Sequence, residues 1–65
     1  VIKRDLKGSP STILFFDDLI ENLVEAKKIG WKTIWISPEF PKKPDYIDYA
    51  FPNIFQALLF FKESI

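Results

Sequence analysis

The 65 residues contain no cysteine and no histidine. That excludes disulfides, thiolate or imidazole metal sites and His-based proton transfer, so any metal held here has to be bound through oxygen. An excess of charge of one sign is missing too. Nine basic and nine acidic residues cancel, and no run of like charge exceeds two, which removes the electrostatic footprint of a nucleic-acid partner. No apolar stretch approaches the roughly 20 residues that span a bilayer, and Val1-Ile2-Lys3-Arg4-Asp5 lacks the pattern of a secretory signal, so a cytoplasmic setting and no membrane partner are expected. The chain does not open on Met, as expected of an internal piece of a longer protein and equally of a processed one.

Apolar residues, by contrast, are plentiful. They make up 48% of the chain, aromatics 17%, with seven Phe and two Trp. A domain this small buries only about 60% of its unfolded surface, so the sequence carries more greasy surface than one small core hides and is expected to pack against further protein. Exposed aromatics would make the chain associate with itself.

The organising stretch is Ile13-Leu14-Phe15-Phe16-Asp17-Asp18. Four apolar residues bounded by Ser11-Thr12 and by two acids read as a strand over about 12–16, covered on both faces as in parallel α/β sheets. In such sheets ligands gather beyond the carboxyl ends of the strands, and Asp17 and Asp18 stand at that end. Before it, residues 1–11, with Lys7-Gly8-Ser9-Pro10-Ser11, read as a lead-in loop.

After the acids, Leu19, Ile20, Leu23, Val24, Ala26 and Ile29 recur at helical spacing. Asp18 as N-cap with Glu21 three residues on fits the capping-box spacing, Lys27 and Lys28 suit the last turn, and Gly30 supplies a left-handed stop. Lys32-Thr33-Ile34-Trp35-Ile36-Ser37 is β-branched and aromatic and reads as a second strand, parallel to the first through a right-handed crossover. Pro38, Pro41 and Pro44 mark residues 38–44 as a loop. Asp45–Ala50 alternates as a short edge strand, and Pro52 opens a closing helix with Ile54, Phe55, Leu58, Leu59 and Phe61 on its apolar face. The expected fold is thus α/β, a Rossmann-like parallel sheet fragment in the order β-α-β-(short β)-α.

Adjacent carboxylates repel by roughly 1 kcal/mol at 4 Å in water and more where water is scarce. Magnesium offsets such repulsion, since it takes hard oxygen ligands from one or two carboxylates, waters and phosphate. The plainer reading makes Asp18 a helix cap and Asp17 a solvated loop residue. Asn22, one turn into the helix, either faces back toward the acids or lies on the solvent face. Lys3 and Lys7 as phosphate ligands, and Trp31 and Trp35 as base-stacking platforms, have no spacing behind them, so the phosphate-binding group stays unassigned.

The run from Ile13 through Asp17-Asp18, Asn22, Ala26 and Gly30 to Ile36 resembles the fourth motif of haloacid dehalogenase-like hydrolases, and within them the nucleotidase-like members with a double Asp and an Asn four residues on. Pro44-Asp45-Tyr46-Ile47 and Phe51-Pro52-Asn53-Ile54 are similar to that family's last short strand and closing helix. A double Asp also ends a strand in response-regulator receiver domains, but those run a longer helix before their Gly than the twelve residues from Asp18 to Gly30.

The resemblance implies that residues 12–65 are the C-terminal portion of a larger core. It further implies a magnesium-dependent phosphatase acting on a phosphorylated small molecule, nucleotides included, with Asp17 and Asp18 holding Mg²⁺ and Asn22 supporting them. The family's Asp-x-Asp nucleophile motif is nowhere in the sequence. The segment alone is therefore expected to be inactive, with the remainder of the core or a companion chain supplying the rest. The competing expectation is a non-catalytic interaction module of the same fold.

Overall fold

The computed structural model describes residues 2–38 and 43–65, apart from the side chains of Ser9 and Pro10. Among them, six elements follow in order: β1 (Ile2–Leu6), β2 (Ser9–Asp17), α1 (Ile20–Ile29), β3 (Lys32–Ile36), β4 (Tyr49–Phe51) and α2 (Ile54–Phe61). They make a small α/β fold, a four-stranded sheet in the order β1-β2-β3-β4 with two helices. The sheet is mixed. β2, β3 and β4 run parallel, whereas β1 pairs antiparallel with β2, with Ile2 opposite Phe16 and Arg4 opposite Leu14.

β1 corrects the expected lead-in loop. Lys7-Gly8 does turn, with Gly8 at φ 83°, a left-handed backbone that glycine adopts without steric cost. The turn, however, closes a hairpin onto β2 instead of ending a linker. Only Ile2 and Leu6 of β1 pack toward the core, with Arg4 between them, and so sparse an apolar pattern does not announce a strand. β2 in turn begins at Ser9 rather than near residue 12, because its first residues pair with β1.

α1 ends as expected, on Gly30 at φ 99°, whose N–H reaches the carbonyls of Ala26 and Lys27. Its start differs. The N-cap is Leu19, extended and without a side-chain cap, so the Asp18–Glu21 capping box does not form. β4 is shorter than the expected Asp45–Ala50, because the chain turns at Pro44–Ile47, where the Ile47 N–H bonds the Pro44 carbonyl, and pairs with β3 only from Tyr49. Pro52 precedes α2 instead of starting it. Asn53 is the cap, its side chain accepting from the Gln56 N–H at 2.8 Å. Of the expected 38–44 loop, residues 39–42, Pro41 included, lie outside the described residues.

The core sits between the sheet and α2. Leu14, Phe16 and Ile34 cluster with Ala57 and Phe61, and Phe61 meets Phe16 edge-on with ring centroids 5.8 Å apart. Each side chain of this size stabilises the fold by about 1.5–3 kcal/mol on burial. Successive strand residues face opposite ways, and Asp17, next after Phe16, reaches Asn22 of α1. α1, with Leu23 and Ala26 buried, therefore covers the reverse face.

One polar latch holds the far end. Asp48 Oδ2 accepts from the Thr33 backbone N–H at 2.9 Å and from Thr33 Oγ1 at 3.1 Å, while Lys27 Nζ donates to both its oxygens. The Asp48 N–H returns a bond to Thr33 Oγ1. The β3–β4 pairing is thereby extended one step by a side chain. No helix among the described residues is long and apolar enough to cross a membrane.

Candidate functional site

The two acids lie at the C-terminal end of β2, the strand flanked by β1 and β3, but they are not equivalent. Asp17 is the last residue of β2 and is only 6% exposed. Its Oδ1 accepts the backbone N–H groups of Asp18 at 2.7 Å and Leu19 at 3.2 Å, and its Oδ2 accepts the Asn22 side-chain amide at 2.8 Å. A carboxylate has about four acceptor positions, so Oδ2 keeps one unused by these donors. The carboxylate thus ties down the two residues that lead into α1 by accepting their N–H groups, while the side-chain cap that sequence spacing gave to Asp18 does not form.

Burial by itself raises the Asp17 carboxyl, yet the hydrogen bonds from Asn22, Leu19 and Asp18 together outweigh it and hold the pKa below the ordinary Asp range. Asp17 is consequently a fixed anion at neutral pH.

Asp18 is exposed. Its backbone is tied down, since its carbonyl accepts the Trp35 indole N–H at 3.1 Å from β3, where Trp35 is the register partner of Asp17. The bend at residue 18 and the extended Leu19 carry the chain out of the sheet and into α1.

Both acids border a cleft of about 360 Å³, whose remaining walls are Ile2, Phe16, Ile36 and Ile54. Four elements meet there: the start of β1, the ends of β2 and β3, and the first residue of α2. Among the described residues no Lys or Arg lines it. Lys3 instead lies 5.2 Å over the Trp31 ring, which packs against Phe15, and the Lys7 backbone N–H bonds the Ser64 carbonyl. Neither tryptophan borders the cleft, so stacking of a base on Trp31 or Trp35 would take place elsewhere.

The donor set fits part of a magnesium site. Mg²⁺ is octahedral and commonly takes one or two carboxylates with waters and phosphate oxygens. Asp18 offers an exposed carboxylate and Asp17 the unused position on Oδ2. Among the described residues no group of three or more Asp, Glu, His or Cys side chains is placed to hold a metal. Two carboxylates are fewer ligands than such a site needs, and nothing among the described residues completes the set.

Of the two places the sequence left open for Asn22, the structure shows the one facing back onto Asp17, while Asp18 keeps an exposed side chain beside them. The Asp48 latch was not foreseen, because Asp48 meets Thr33 and Lys27 only through the fold and no local spacing signals it. No family model, curated protein or solved structure matches the chain.

Proposed function

We propose that the segment is the metal-binding corner of a magnesium-dependent phosphomonoester hydrolase of the haloacid dehalogenase-like kind, working in the cytoplasm on a phosphorylated small molecule such as a nucleotide. The observation that carries the reading is the division of labour between the two acids: a buried Asp17 held by three hydrogen bonds, beside an exposed Asp18 at the mouth of a cleft at the strand ends. On this reading β2-α1-β3-β4-α2 is the part of a Rossmann-like parallel sheet that this chain contributes, with β1 added antiparallel on its flank.

Mg²⁺ bound there would offset the charge of a phosphoryl group during transfer. The chain's own residues prepare the place. Asn22 and the Asp18 and Leu19 N–H groups fix the Asp17 carboxylate, and Trp35 fixes the Asp18 carbonyl, so that the Asp18 carboxylate is presented with little freedom left in its backbone. The Asp-x-Asp nucleophile would have to come from the remainder of the core or a companion chain.

A titration tests the metal role. Mg²⁺ should shift the amide resonances of Asp18 and Leu19 in the isolated chain, weakly because ligands are missing, and Asp18→Asn should abolish the shifts. Shifts that survive Asp18→Asn would remove Asp18 from the role. Where an Asp-x-Asp segment is supplied, a phosphatase screen with Asp18→Asn as control extends the test to turnover. The second reading, a non-catalytic interaction module, is favoured by Phe55 and Phe60, which remain 69% and 61% exposed on α2.

A further inference from the structure

We infer that the outer face of α2 docks onto the same face of a second copy of this chain, antiparallel and about a two-fold axis. The inference holds under either reading above. At about 3.6 residues per turn, Ala57 and Phe61 turn toward the sheet, while Gln56 and Leu59 point most directly away from it, with Phe55 and Phe60 on the flanks. Phe55 is 69%, Leu59 51% and Phe60 61% exposed. Phe60 also meets Tyr49 and Phe51 of β4, with ring centroids 5.8 and 5.4 Å away, so the patch is continuous from helix to strand. A helix apolar on every side belongs in a covered place.

Charge and area say what covers it. From Tyr49 to Phe61 the sequence carries no charged residue, and the whole chain sums to zero. An acidic or basic partner has nothing to pair with here, and a lipid surface is matched by helices that carry Lys or Arg beside their apolar face, which α2 does not. A second copy brings no long-range repulsion and no charge to strand on contact, the condition under which proteins of zero net charge associate. Taking about 200 Å² for a whole large side chain, the exposed parts of Tyr49, Phe55, Leu59 and Phe60 come to roughly 400 Å² per copy, or about 800 Å² for the pair. That is less than the roughly 1,200–2,000 Å² of a stable complex, so dilution takes this dimer apart.

In a two-fold contact the residues nearest the axis face their own copies. Antiparallel packing centred on this face sets Phe55 against Phe60 of the partner subunit and Gln56 against Gln56 of the partner subunit, where the paired amides fix the register. Sedimentation velocity over a dilution series reads the dimer. Gln56→Glu and Gln56→Lys each set like charges across the axis and should raise the dissociation constant about ten-fold or more, while an equimolar mixture of the two should restore association to nearly that of the parent chain. Both substitutions spare the fold, because Gln56 is exposed and its bond to Asn53 uses the backbone N–H. A monomer at every concentration would overturn the inference and give the face to a different protein. Association that neither charge weakens, or that mixing does not restore, would overturn it in favour of unspecific adhesion through the aromatics.

Discussion

Replacing Asp17 by Ala removes the acceptor for three donors at once. A hydrogen bond to a charged group contributes about 1.5–3 kcal/mol net, which would sum to well over 4 kcal/mol if all three donors stayed dry. They do not. Asp18, Leu19 and Asn22 are exposed residues and regain water in part, and the variant also escapes the cost of burying a carboxylate. The expected loss is therefore about 2 kcal/mol, out of the roughly 3–10 kcal/mol available to 65 residues, or a fall in Tm of roughly 8–16 °C. Asp17→Asn should cost less, about 1 kcal/mol: one oxygen still accepts the two backbone N–H groups, and the exposed Asn22 can turn its amide to meet the new one.

Urea unfolding of the three proteins gives the order, and its pH dependence gives the sign. Because the folded Asp17 pKa lies below the ordinary value of 3.8, its contribution is fully present above that value and disappears as pH falls through the lowered one. Asp17→Asn should accordingly flatten the acid limb. A loss under about 0.5 kcal/mol for Asp17→Ala, the size of an ordinary surface change, would refute the reasoning.

Further outcomes follow from the same geometry. Asp48→Ala should destabilise by about 2 kcal/mol in thermal unfolding, since the Thr33 N–H and hydroxyl sit at a fully buried residue, whereas Lys27→Ala should cost no more than about 1 kcal/mol because that ion pair is partly solvated. Asp48 also titrates low: burial raises its pKa, and the bonds from Thr33 and Lys27 outweigh the burial, so this stability too is lost only as pH falls below the ordinary Asp range. Gly30→Ala should cost about 1–2 kcal/mol by urea unfolding purely from the left-handed backbone, as a Cβ there meets nothing within 4 Å. Sedimentation of the isolated chain should show self-association that Phe55→Lys with Phe60→Lys relieves.

Much of this fold was legible because it is written locally. The Ile13–Phe16 run, the three- and four-residue spacing from Leu19 to Ile29, and Gly30 fix β2, α1 and the turn into β3 with no reference to the rest of the chain. What escaped depends on partners distant in sequence. β1 is a strand because β2 offers it an edge, and its own residues alternate only weakly. β4 is held in place beside β3 by Asp48 on Thr33, fifteen residues earlier, and the chain before it turns at Pro44–Ile47. Neither could be read from local spacing.

The acids illustrate the same boundary at finer scale. Sequence spacing puts a cap at residue 18 and leaves Asp17 to solvent or to a metal, whereas the structure gives α1 no side-chain cap and buries Asp17. Geometry supplies the reason. At the end of a strand the side chain alternates sides, so the residue that follows Phe16, which faces α2, must face α1, where Asn22 and the unpaired N–H groups await it. Asp17 is therefore committed to holding the strand-to-helix bend. The next residue, past the last sheet pairing, keeps an exposed side chain beside the cleft. Any chemistry this corner performs falls on Asp18, and the accuracy of its placement falls on Asp17.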